Sequence, residues 1–152
     1  MNIIWQYLDK RSAAINALKD YSSMKFIIEN TDEEIKVVSS QMIGLGSHSY
    51  DGMPRASKTN VTEERILNGI EEIDVLKERY RQAIEYMEWF EPAWNQLTDD
   101  ERYVLEIYYL EEDLSGNVVY TICNHFCIER SSAYNKKNRA VNHLATLLFG
   151  KA

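Results

Sequence analysis

The strongest constraint on this chain is the punctuation of Leu97–Gly150, which divides the stretch into three helical patterns with two short breaks. Thr98-Asp99-Asp100-Glu101 is a capping box: the Thr98 hydroxyl suits the amide of Glu101, and the Glu101 carboxylate reaches back to the amide of Thr98. The helix it opens has one apolar face through Val104, Leu105, Tyr108 and Tyr109. Ser115-Gly116-Asn117 breaks it, with Asn117 as cap of a short second helix from Val118 to about Phe126. That helix has an apolar stripe of Val119, Ile122, Cys123 and Phe126. The turn Cys127-Ile128-Glu129 leads into a third helix from Arg130.

Short helix, tight turn and long helix make a helix-turn-helix outline, and charge gives it a direction. The chain carries a net charge of -7, yet Arg130 to Ala152 holds five basic residues and no acidic one, which leaves -12 on Met1 to Glu129. Cations are favoured in the last turn of any helix. Arg130 stands at the start of its helix, and Lys136, Lys137 and Arg139 stand in the middle, where the dipole offers no reason for them. A cationic helix on an acidic protein is an electrostatic footprint for a polyanion.

The segment resembles the region 4 helix-turn-helix of sigma-70-type factors. The residues that carry the resemblance are Asp100-Glu101-Arg102-Tyr103-Val104-Leu105, Thr121-Ile122-Cys123, Ile128-Glu129-Arg130-Ser131-Ser132-Ala133 and Ala140-Val141-Asn142-His143-Leu144. The whole chain is similar to phage-encoded transcriptional regulators of the RinA/ArpU type, in which a helical front half precedes this module. Tyr50-Asp51-Gly52-Met53-Pro54 also resembles that family. The resemblance implies control of phage or prophage late or packaging genes. The sequence departs from the sigma pattern at two places. Cys127 replaces a turn residue that is often Gly, at a position that commonly needs φ > 0. Lys136 replaces a residue that is often apolar, so its stem can pack while its charge snorkels. Either Lys136 or Lys137 can then face DNA.

The fold class expected is all-α: a long antiparallel helical hairpin over 1–96, with a loop at about 44–60, followed by a three-helix module over 97–152. A hydrophobic content of 45% argues against disorder, and two Pro and six Gly are few for an all-β chain. No apolar run approaches the ~20 residues of a membrane helix, and the N-terminus has no signal-peptide pattern. These features point to a cytoplasmic protein with no membrane partner, and the resemblance implies a bacterial host cell.

In the front half, Ile4, Leu8, Arg11, Ile15 and Leu18 alternate at three- and four-residue spacings, and Tyr21, Met24, Ile28, Ile35, Val38 and Met42 continue the edge. Asn30-Thr31-Asp32 can break or kink this run, so one long helix or two in tandem are expected. After the loop, Asn60 is expected to cap a helix whose seam is Ile66, Ile70, Ile73, Lys77, Tyr80, Ile84 and Met87. Glu91-Pro92 is expected to bend it, with Trp89, Phe90 and Trp94 packed around the hinge. One hairpin shields its inner seam only. Trp5, Tyr7, Tyr86, Trp89 and Trp94 therefore need cover from a second subunit or from the tail module.

Nothing in the sequence points to an enzyme. His48, Ser49 and Asp51 lie in a polar loop without a second catalytic cluster, and Gly44-Leu45-Gly46 follows no strand. Glu63-Glu64 and Glu71-Glu72 read as a solvated helix face. Cys123-x-His125-x-Cys127 lacks a fourth ligand, and His125 points away from the cysteine face, so no metal and no cofactor are expected.

The residues expected to meet DNA are Arg130, Ser131, Ser132 and Asn135 at base edges, and Lys136, Lys137 and Arg139 at phosphates. Ala133, Ala140, Val141 and Leu144 should face the module core, with Leu147, Leu148 and Phe149 sealing its end. The expected partner is double-stranded DNA, read by a homodimer or higher oligomer over two half-sites. The alternative is a module that resembles sigma region 4 and binds RNA polymerase or a phage protein without reading DNA.

Overall fold

A computed structural model describes residues 7–44, 55–111 and 117–151. Five α-helices and no strand occur among them: α1 (Lys10–Gly44), α2 (Arg55–Gln96), α3 (Asp99–Leu105), α4 (Val118–Phe126) and α5 (Arg130–Phe149), with a π-helical turn over Glu106–Leu110 directly after α3. The long helices α1 and α2 pack together as a hairpin, so the all-α architecture expected from the sequence is present. No helix of the described residues is long and apolar enough to cross a membrane. Trp5, the stretch 48–54, and Ser115 and Gly116 lie outside the described residues.

Both long helices differ from expectation at their boundaries. α1 starts at Lys10 rather than at the N-terminus, because Asp9 caps it: its carboxylate accepts from the Ser12 amide at 3.2 Å and the Ser12 hydroxyl at 2.9 Å. α1 then runs unbroken through Asn30-Thr31-Asp32. The two residues that could have capped a new helix turn back instead: the Asn30 amide donates to the Phe26 carbonyl and the Thr31 hydroxyl donates to the Ile27 carbonyl at 2.5 Å. Satisfied in this way, Thr31 tolerates burial. α2 starts at Arg55, five residues before Asn60, so Asn60 is inside the helix and does not cap it. The helix also continues through Pro92. Proline in a helix interior costs about 3 kcal/mol, and the burial of Phe90, Ala93 and Leu97 around it works against that cost.

The α1 seam is a strict alternation of three and four: Ala14, Ala17, Tyr21, Met24, Ile28, Thr31, Ile35, Val38 and Met42 are all buried or half-buried. On α2 the buried line is Gly69, Leu76, Ala83 and Phe90, every seventh residue, with Leu97 next in the series. This corrects part of the expected α2 seam: Ile66, Ile70, Lys77 and Tyr80 are exposed, whereas Ile73 and Ile84 are half-buried and Met87 is buried. Large aliphatics dominate a hydrophobic reading, whereas close approach of two helices is set by small residues. Gly69 shows why: a Cβ there would meet Met42 Cγ and Sδ at 2.5 Å.

The chain divides into two compact units, one of Met1–Ser23 with Tyr86–Ala152 and one of Met24–Glu85. This differs from a division at 96/97. In the first unit, Ala14 and Leu18 of α1 share one core with Phe90 and Leu97 and with Leu105, Val141 and Leu144. Phe90 is its aromatic hub, stacked on Tyr86 at 5.3 Å and on Trp94 at 5.9 Å, and tilted against Tyr21 at 5.6 Å. The Tyr86 hydroxyl donates to the Ala17 carbonyl, and burial pushes its phenol well above the usual range. Tyr86 and Trp94 are thus covered within the chain, while Trp89 leans on Phe149 and Tyr7 is exposed.

Candidate nucleic-acid interface

The interface is built on α3, the π turn, α4 and α5, all in the first unit. The capping box forms as expected, with Glu101 N–H donating to Thr98 Oγ1 and Thr98 N–H donating to Glu101 Oε1, both at 3.2 Å. Its carboxylate does one thing more: Glu101 Oε2 lies 2.7 Å from His143 Nδ1 of α5. α4 spans Val118–Phe126 as the spacing predicts. Asn117 occupies its N-cap position, but its side chain makes no capping bond; its carbonyl accepts from the amide and hydroxyl of Thr121.

The turn is decided at Cys127. Its φ of 54 and ψ of 48 place it in the left-handed region, the conformation the sequence position calls for. Its amide and that of Ile128 both donate to the Cys123 carbonyl, which closes α4. Glu129 is extended, and α5 begins at Arg130. Ile122 of α4 and Ala133 of α5 are buried with Val104 of α3, and these three small or mid-sized residues let the helices approach. Ala140, Val141 and Leu144 face the core as expected, with Ala145 beside them. Leu148 and Phe149 pack on that core. Leu147 does not, since one residue turns it about 100° around the helix onto the outer side.

Burial of this side leaves the opposite side of α5 free. Ser131, Ser132, Asn135 and Arg139 are exposed there, and Asn142 and Thr146 continue the row at helical spacing. Asn142 and Thr146 were legible in the sequence as the next steps of a polar repeat from Ser131. Arg130 is exposed at the first turn but also lines a cavity of about 570 Å³ with Tyr108, Tyr120, Cys123 and Tyr134. The two lysines are half-buried, Lys136 at the edge of this face and Lys137 on a different side of the helix. Lys136 Nζ sits 4.4 Å from the Phe126 ring centroid, and Lys137 Nζ sits 4.6 Å from that of Tyr108 and 5.7 Å from that of Tyr134. Their stems pack while their charges reach the surface. Of the seven expected residues, four share the outward face and Lys136 lies at its edge, while Arg130 and Lys137 lie with Tyr134 along a different side of α5, beside Tyr108.

Sequence reasoning missed what holds α5 in place. Arg11, which interrupts the α1 apolar series, donates through Nη2 to Asn138 Oδ1 at 3.0 Å, and Lys10 Nζ donates to the Lys151 carbonyl at 2.7 Å. A charged residue inside an apolar series was the available signal. The π turn was not legible. It follows Leu105 directly, and within it Tyr108 lies under Lys137 while Tyr109 meets Lys19 at 6.0 Å. His125 stacks on Tyr103 with centroids 3.9 Å apart. Among the described residues no group of three His, Cys, Asp or Glu is placed to hold a metal ion.

No family model, curated protein or solved structure matches this chain.

Proposed function

We propose that this protein is a sequence-specific DNA-binding transcriptional regulator that reads the major groove with α5. The observation that carries the reading is the α4–Cys127–α5 geometry, with Ser131, Ser132, Asn135 and Arg139 on one exposed face of a helix that lacks acidic residues. Asn135 is suited to adenine N6/N7, the serines to bases or phosphates, and Arg139 to a phosphate. Lys136, at the edge of that face, suits a phosphate beside the groove. The resemblance to phage regulators of the RinA/ArpU type suggests phage or prophage late genes as targets. A homodimer reading two half-sites fits the exposed Ile66, Ile70 and Tyr80 row of α2, which the hairpin does not use.

One observation favours a second reading. Both lysines are engaged with aromatic rings, which leaves Arg139 as the only cation in the middle of the outward face. A module that binds RNA polymerase or a phage protein, without reading DNA, would carry such a face.

The deciding experiment is a DNA titration at two salt concentrations, with fragments upstream of neighbouring genes and an unrelated control. Tight, salt-sensitive binding to one fragment, lost in Asn135→Ala/Arg139→Ala at unchanged helicity, supports the regulator. Equal weak binding to every fragment leaves only a basic helix. No binding at low salt favours the protein-interaction module.

A further inference from the structure

The Met24–Glu85 unit carries an interaction surface of its own. Between α1 and α2 runs a groove of about 400 Å³ whose apolar floor is Val38 and Leu76, both buried, and whose wall is Phe26 and Val37. Those two wall residues are 60% and 56% exposed, although they stand beside a buried seam. A second hollow of about 300 Å³ shares Val38, Gln41 and Glu72 with it and extends it past Gly69 to Arg65. Glu33, Glu34 and Glu72 rim the first hollow, and Glu33 alone of these is paired, with Lys36 at 2.9 Å.

We propose that this groove receives a basic amphipathic helix from another protein. A cleft between two packed helices accepts a third helix as ridges into grooves, and an apolar floor with charged rims is the helix-in-groove mode of recognition. From Phe26 to Gln41 the groove follows about 22 Å of α1, which a partner of about four turns spans. The partner's apolar row meets Phe26, Val37 and Leu76, its Lys or Arg flanks meet Glu34 and Glu72, and Arg65 favours an acidic residue at the far end. Charge argues against a second copy as the occupant. The chain is at -7, and α5, its helix with a cation excess, has its apolar side committed to its own core.

The test uses the full chain and two labelled synthetic 16-residue amphipathic peptides with the same Leu/Ile row, one flanked by Lys and one by Glu. Fluorescence anisotropy should show saturable binding of the Lys peptide, at least tenfold tighter than the Glu peptide. NMR shifts should centre on the methyls of Val37, Val38 and Leu76. Glu34→Lys/Glu72→Lys, the first half-buried and the second exposed, should weaken the Lys peptide at least tenfold at unchanged helicity, and Phe26→Ser should do the same. Equal affinity for both peptides, full binding by the charge-reversed variant, or shifts confined elsewhere would overturn the proposal. So would sedimentation showing that Phe26→Ser dissociates a dimer, because the face would then belong to a second copy. DNA binding by α5 is read separately and does not bear on the outcome.

Discussion

His143 Nδ1 of α5 lies 2.7 Å from Glu101 Oε2, the carboxylate that also closes the α3 capping box. A carboxylate only accepts, so Nδ1 carries the hydrogen and donates. One side chain thus starts α3 and ties it to the helix proposed to read DNA. Burial pushes the Glu101 carboxyl up, but the bonds from His143 and from the Thr98 amide and hydroxyl outweigh it and hold it below its ordinary 4.5.

A folded-state value below the unfolded one sets the sign of the pH dependence. Glu101 contributes its full stabilisation above the unfolded value and loses it as pH falls through the lowered folded value. Urea unfolding followed from pH 7 to pH 3 should therefore show a smaller acid loss in Glu101→Gln than in the parent. At pH 7, Thr98→Ala should cost about 1 kcal/mol. An acid limb identical in parent and Glu101→Gln would show that the contact does not act in solution.

Cys127 has φ 54, and the left-handed region costs a non-glycine residue about 1–2 kcal/mol. Cys127→Gly should raise stability by a large part of that, offset by the greater freedom of glycine in the unfolded chain. Cys127→Val, β-branched, should lower it. Thermal unfolding of the three proteins in reducing buffer would check the order Gly, Cys, Val.

Gly69 and Met42 are a packed pair, and a Cβ at 69 has no room beside Met42 Cγ and Sδ. Gly69→Ala should therefore destabilise by about 1–3 kcal/mol despite the better helix propensity of alanine. Gly69→Ala/Met42→Ala should be less destabilised than the two single effects added. A double-mutant cycle from denaturant midpoints measures the coupling.

Lys137 and Arg139 differ in what they touch. Lys137 lies over Tyr108, so Lys137→Ala should cost about 0.5–1 kcal/mol of stability from the lost cation–π contact. Arg139 is exposed on the outward face, so Arg139→Ala should leave stability within about 0.5 kcal/mol. If Arg139 meets a phosphate, its loss should reduce the salt slope of DNA binding by about one. Melting curves together with salt-dependent titration would separate the two roles.

Much of the tail was legible in its residues. Thr98 and Glu101 mark a helix start because their side chains bond amides three residues away, and that geometry is local. Ala133, Ala140, Val141 and Leu144 mark the buried side of α5 because helical spacing puts them on one face. The turn at Cys127 could be placed from the helices around it, although the residue itself is a poor fit. Asn30-Thr31 left one helix or two open, and Pro92 is a helix-breaking residue inside a helix that continues; one physical reason covers both. Their local preferences are worth a few kcal/mol at most, and packing of α1 against α2 carries both helices through them.

The sequence by itself determined the helical class, the capping box, the extent of α4 and the start of α5, because these depend on neighbours within about one helical turn. Tertiary structure decided which face of α2 is buried, since Gly69 and Ala83 carry little hydrophobic signal but permit close approach that Ile66 and Ile70 do not. It also decided that Arg11 and Lys10 of α1 reach Asn138 and Lys151 at the far end of the chain. Contacts across more than a hundred residues have no local periodicity, so only the folded chain reveals that the start of α1 helps to hold α5.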